Sequence, residues 1–177
     1  LTGDAAYGDQ GAAAAACAMS LEAFRVAVKL VHIPGSHTYG KVLPPEIIGK
    51  PTKLIWTLPE GWKMEELPWP AVHPFKGLDG TPSEGYEGTV YLPAKITPPA
   101  SAAIGSTSEL QVKVDGLVCD DKSCMPFKQE AKISLTLAAA AQVDAAQAAI
   151  FDKLPALEKT AAETPPPAKA SSGEAVG

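Results

Sequence analysis

No basic cluster or stripe runs along this chain: fifteen Lys and Arg stand against twenty Asp and Glu, a net charge of -5. Without the cations that neutralise phosphates, nucleic acid is not an expected partner. Long apolar runs are missing too. The longest, Ala12 to Met19, has eight residues, far short of the roughly 20 that cross a bilayer, so this stretch of polypeptide is expected to be soluble. Cysteine is scarce: three in 177 residues exclude a disulfide-scaffold protein, and the odd count leaves one spare if two pair. His32, His37 and His73 are scattered, without the paired spacing of zinc motifs. The chain opens at Leu1 without Met and without a basic region leading into a long apolar stretch. That leaves open both removal of a signal peptide and excision from a longer protein.

What is present is a series of short alternating segments. Residues 1–19 are rich in Gly, Ala, Asp and Gln with no periodicity and read as a flexible leader. From Leu21 the pattern changes: Phe24, Val26, Val28 and Leu30 recur every second residue, which predicts a strand with one face in a core. Pro34-Gly35 ends it, and Ser36 to Gly40 leads through a Pro-rich loop to Lys53–Leu58, where Leu54, Trp56 and Leu58 share a face. Residues 63–85, dense in Pro and Gly around Trp69, His73 and Phe75, read as a long irregular excursion with room for one short strand. Alternation returns over Thr89–Thr97, Glu109–Val118 and Ala131–Leu137, with Pro93 marking an edge strand or a bulge. Trp56, Trp62 and Trp69 are expected in or around the core. Short strands separated by turns, with no helices between them, predict an all-β antiparallel sandwich. It is followed by a terminal helix over 139–158, with Val143, Ala146, Ala149, Ile150 and Leu154 at helical spacing, and by a disordered tail or linker over 159–177.

The chemistry-bearing candidates are Cys119 and Cys124, in Leu117-Val118-Cys119-Asp120-Asp121-Lys122-Ser123-Cys124-Met125-Pro126 between two predicted strands. Facing residues at a non-hydrogen-bonded pair of a hairpin lie about 4.5 Å apart at Cα, a separation that a disulfide tolerates. Such a small ring constrains the unfolded chain by only about 2 kcal/mol. The pair therefore reads as a modest staple that can also switch. Asp120 and Asp121 disfavour a thiolate at Cys119, whereas Lys122 and Ser123 favour one at Cys124, which makes Cys124 the expected partner-facing sulfur. Lacking a Cys-x-x-Cys, the loop is better suited to being attacked, or to relaying electrons, than to initiating exchange. A passive structural disulfide in a non-enzymatic interaction module is the rival reading, and metal binding by the two thiols, zinc or copper(I), a further one. No bound cofactor or metal is expected. Cys17, in Ala-Ala-Ala-Cys17-Ala, reads as a flexible thiol; as a lipid-attachment residue it would lack the expected aliphatic residue upstream.

Four pieces in order resemble the N-terminal periplasmic domain of the bacterial DsbD and ScsB thiol-disulfide interchange reductases. They are Gly35-Ser36-His37-Thr38-Tyr39, Trp56-Thr57-Leu58-Pro59-Glu60-Gly61-Trp62, Gly85-Tyr86-Glu87-Gly88-Thr89-Val90-Tyr91-Leu92-Pro93, and Val118 through Pro126. The resemblance implies an immunoglobulin-like redox domain over 20–138 that cycles Cys119 and Cys124 between dithiol and disulfide. It implies a thioredoxin-like donor and periplasmic thiol-disulfide acceptors, including disulfide isomerases and thiol proteins of cytochrome c maturation, with Cys124 forming the mixed disulfide. A cap loop with an aromatic residue shields the cysteines in that family; here the candidate is Phe75, with Leu78 behind it, and Tyr39 and His37 are the expected active-site neighbours. Some relatives act in copper tolerance, so a copper-handling domain is a third reading. The Pro-rich end is expected to link to a membrane domain.

Overall fold

The computed structural model describes residues 23–139 and 145–154, so the expected leader, Cys17, and the tail lie outside the described residues. Nine strands and one short helix follow in order: β1 Phe24–Val31, β2 His37–Tyr39, β3 Lys53–Thr57, β4 Lys63–Glu66, β5 His73–Lys76, β6 Pro82–Glu87, β7 Thr89–Thr97, β8 Thr107–Cys119, β9 Cys124–Thr136 and α1 Ala145–Phe151. They form an all-β antiparallel sandwich. One sheet has the order β1-β7-β4; the other runs β3-β8-β2-β6-β5, with β9 on the free edge of β8.

The alternation read from the sequence is what builds the core. Phe24, Val26, Ala94 and Ile96 of the first sheet meet Leu110, Ile133 and Leu135 of the second, with Trp56 and Trp62 packed at the margin. Further along, Val28, Leu30, Val90 and Leu92 meet Tyr86, Val112 and Val114, with Leu54 and Trp69 alongside. Side chains two apart share a face of a strand, so burial of Leu110, Val112, Val114 and Val118 fixes the inner face of β8. Residues 109, 111, 113, 115, 117 and 119 then face away from the sandwich. Cys119 is on this outer face.

Two expectations are corrected. The excursion over 63–85 carries β4, β5 and the start of β6 rather than one short strand; these segments are Lys-Met-Glu-Glu, His-Pro-Phe-Lys and a Pro-led run, too short and polar to show alternation. The stretch after Pro34-Gly35 is not simply loop, because His37–Tyr39 forms β2 between β6 and β8. The edge-strand expectation for Pro93 holds only locally, because β7 is the central strand of its sheet. β7 is flanked by β1 along its whole length, but β4 reaches only as far as Ala94, so Pro93 has a neighbouring strand on one side alone. Of the helix expected over 139–158, Ala145–Phe151 is helical as α1, 152–154 are turn and bend, and 140–144 and 155–158 lie outside the described residues; Arg25 on β1 donates from Nη1 to the carbonyls of Phe151 (2.9 Å) and Leu154 (3.3 Å). No helix among the described residues is long and apolar enough to cross a membrane.

Candidate functional site

β8 and β9 run antiparallel over thirteen paired residues, and the last pair is Cys119 with Cys124. The Asp120 amide donates to the Ser123 carbonyl at 2.9 Å and closes the turn between them. The cysteines are thereby a directly facing pair with Cα atoms 4.1 Å apart, joined as a disulfide. The Asp120 carboxylate also buttresses this turn: its Oδ1 accepts from the amides of Lys122 and Ser123, both at 2.8 Å. Those two backbone hydrogen bonds hold the Asp120 carboxyl below the usual carboxylate range. Asp121 and Lys122 are exposed in the same turn.

The two sulfurs are not equally accessible. Cys119 is 2 % exposed, whereas Cys124 is only partly buried and lines an open groove of about 350 Å³ with Tyr39, Ile48, Leu78, Ser83 and Leu117. Beside Cys119, aromatic side chains gather on the outer face of the sheet. Across the strands, Glu87, His37, Cys119 and Cys124 are successive register partners on β6, β2, β8 and β9, so they stand in one row on one face. Tyr39 is two residues beyond His37 on that face and is itself buried. Phe75, from β5, lies over both: its ring centroid is 3.8 Å from that of His37 and 5.4 Å from that of Tyr39. Leu78 lies further out, half exposed on the groove.

A gap in the side-chain pattern lets Phe75 reach inward. A Cβ on Gly85 would sit 1.9 Å from the Thr38 carbonyl oxygen and 2.9 Å from Phe75 Cε1; only a residue without one lets the ring cross β6. From the other side Gly49 lies against Tyr39, where a Cβ would come within 2.9 Å of Cζ. The 40–52 segment that carries Gly49 is tied at its base by the Thr52 amide to the Gly40 carbonyl (3.0 Å) and by the Thr52 hydroxyl to the Tyr39 carbonyl (2.6 Å).

Burial disfavours the charged form of both His37 and His32. Burial keeps His37 below the usual imidazole range, opposed by the charge of Glu87; His32 adds to the lowering, and Asp121 and Asp120 oppose it. Burial likewise lowers His32. His32 Nδ1 must donate to the Gly88 carbonyl (2.8 Å), so its Nε2 accepts from the Thr38 hydroxyl (3.0 Å). Burial raises Tyr39, with the Asp79 charge adding to the rise. Among the described residues no group of three or more His, Cys, Asp or Glu is arranged to hold a metal ion.

The structure thus brings together Cys119, Cys124, His37, Tyr39 and Phe75, with Asp120, Asp121 and Lys122 in the adjoining turn. Gly85, Gly49, Ile48, Ser83 and Glu87 were not singled out in the sequence as parts of this site. Gly85 fell at the end of the stretch read as irregular, and Gly49, Ile48 and Ser83 lay in segments without alternation, so none of them carried a signal.

A facing, disulfide-bonded cysteine pair at the tip of a β-sandwich hairpin is an arrangement that can take part in thiol-disulfide exchange, and the family comparison agrees. The model of the family described as "Thiol:disulfide interchange protein DsbD, N-terminal" matches residues 9–138. The chain belongs to that family, and its fold is the immunoglobulin-like sandwich. Among solved structures it is similar to the N-terminal periplasmic domain of ScsB from Proteus mirabilis, at 17 % identity and a TM-score of 0.49, over 78 % of this chain and 51 % of that one. The chain therefore spans about half the length of that structure. None of the curated proteins matches it.

Proposed function

We propose that this domain is a periplasmic relay. It accepts two electrons from a thioredoxin-like donor into the Cys119–Cys124 disulfide and passes them to thiol-disulfide acceptors. The observation that carries the reading is the asymmetry of the pair: a sulfur open to a groove at Cys124 is bonded to one shut away at Cys119. Exchange requires a thiolate to reach one sulfur while the other leaves, and the groove favours attack at Cys124. Because the bond joins residues already paired at the end of a hairpin, its opening takes nothing from the sandwich core, which lies on the other face of β8. A purely structural staple has less support. The ring closed by the bond is five residues in sequence separation, and so short a loop gives about 2 kcal/mol at most.

Membership of an interchange family supports a protein-disulfide reductase activity, and residues 20–138 are read as the redox domain, with a leader over 1–19 before it and a terminal helix over 139–158 and a tail or linker over 159–177 after it. Incubating the oxidised domain with a reduced thioredoxin-like protein tests the relay. Rapid appearance of the Cys119/Cys124 dithiol is expected, with a trapped mixed disulfide in Cys119→Ser and none in Cys124→Ser. A complex that persists only through Cys119 would reverse the assignment of the sulfurs.

A further inference from the structure

His37 Nε2 is buried and has no hydrogen-bond partner, one of four such side-chain atoms among the described residues. A buried polar atom left unpaired is costly and needs an explanation. The ring is fixed by packing instead, against Phe75 on one side and edge-on to Tyr39 at 6.5 Å. Its register partner on β8 is Cys119. Partners across an antiparallel ladder hold their Cβ atoms about 4.5–5.5 Å apart on the same face, so the imidazole stands beside the buried sulfur. In the disulfide that sulfur carries no charge. When the bond opens it becomes a thiolate in a place shut off from water, where burial penalises the charge.

We infer that His37 is a positioning residue for the leaving sulfur: its Nε2–H donates a hydrogen bond to the Cys119 thiolate as the disulfide opens. The inference rests on the relay reading for which sulfur is attacked, but the hydrogen bond itself needs no partner protein. A thiolate of the donor attacks Cys124 Sγ; the bond between donor and Cys124 forms, the Cys119–Cys124 bond breaks, and its electron pair leaves on Cys119. The donor's second thiolate then attacks the donor sulfur of the mixed disulfide, and Cys124 leaves as a thiolate. The donor dithiol is oxidised to a disulfide, the Cys119/Cys124 pair is reduced, and solvent supplies the protons that both sulfurs finally take up. His37 gives no electron and keeps its proton throughout.

The charged and titratable groups around this imidazole are Glu87 on β6, His32 just after β1, Asp120 and Asp121 in the turn, and Tyr39 on β2; β5 lays the uncharged Phe75 ring on it and carries the titratable His73 two residues before Phe75. Three of them are carboxylates that raise the thiolate's energy. Removing the one facing donor should therefore leave the charge uncompensated.

The test uses the full chain with Cys17→Ser and Cys124→Ser, so that Cys119 is the single thiol, and follows ultraviolet thiolate absorbance against pH. His37→Phe keeps a ring against Phe75 and Tyr39 but removes the donor. It is expected to lower the thiolate fraction at a given pH about tenfold, a rise of about one pKa unit. His37→Gln, whose amide can donate, should recover most of that loss, a rescue that a merely structural role would not show. In the Cys17→Ser chain with its disulfide intact, reduction by dithiothreitol should slow by a similar factor in His37→Phe and recover in His37→Gln. If His37→Phe does not fold, His37→Met against His37→Gln gives the same comparison at matched size. Superimposable titrations with and without the donor, in variants of equal near-ultraviolet circular dichroism, overturn the inference. Failure of every thioredoxin-like donor to reduce the disulfide would sink the relay reading and leave the titration result standing.

Discussion

The outer face of the six-stranded sheet has two halves along the same β8–β9 hairpin, and they are built on opposite plans. Away from the cysteines, Lys132 pairs with Glu109 at 2.9 Å and Lys113 with Glu130 at 3.0 Å, both open to solvent. At the cysteine half the row is Glu87, His37, Cys119 and Cys124, roofed by Phe75 and the 40–52 segment. The sandwich core lies on the opposite, inner face. Under the proposed relay, the cover over one end of this face leaves Cys124 as the sulfur open to a partner.

The largest effect that would break this comparison is loss of exchange. Cys124→Ser should abolish disulfide exchange with a thioredoxin-like donor, while Lys113→Ala at the far half leaves the rate unchanged; equal loss in both would erase the distinction between the halves. Next in size is the notch under the roof. Gly85→Ala, which places a Cβ against the Thr38 carbonyl and the Phe75 ring, should cost about 3 kcal/mol of stability by denaturant unfolding, and an unchanged midpoint would show that the strands yield easily. Phe75→Ala should open the roof and speed reduction by a small dithiol on the order of tenfold, about 1.4 kcal/mol of barrier. A rate that does not rise would deny Phe75 its shielding role.

A pH effect sharpens the comparison at the turn. Asp120 has a folded pKa held below its ordinary value by the Lys122 and Ser123 amides. Its contribution is therefore present above the ordinary carboxylate pKa and is lost as pH falls through the lowered folded value. Asp120→Asn should flatten the acid limb of the stability curve, measured by unfolding from neutral pH downwards; a limb of unchanged slope would show that the carboxylate adds nothing. The smallest effect belongs to the charged half. Lys113→Ala, removing one partner of an exposed pair, should change stability by less than about 1 kcal/mol.

The sandwich and its sulfur pair were legible because each rests on a local pattern. Phe24 to Leu30, Leu110 to Val114 and Ile133 to Leu137 show period-two alternation, and Cys119 and Cys124 bracket a four-residue turn between two such runs. The roof was harder to read. Phe75 carried a family resemblance but no periodicity, β2, β4 and β5 are three or four residues long, and the row from Glu87 to Cys124 joins residues as far apart as 37 and 119. Register between distant strands leaves no mark in either segment alone. The burial of Tyr39 was also hard to read, because the Gly49 that lies against it comes from a Pro-rich loop that shows no alternation.

The central claim is that this bond opens and closes in service while the fold around it holds. A redox titration of the Cys119–Cys124 pair, with near-ultraviolet circular dichroism recorded at each step, tests it most directly. The account predicts a midpoint in the range of protein exchange partners, about -120 to -270 mV, with the dichroism of the sandwich retained in the dithiol. A midpoint below about -300 mV, or loss of tertiary signal on reduction, would mark the bond as a structural staple and contradict it.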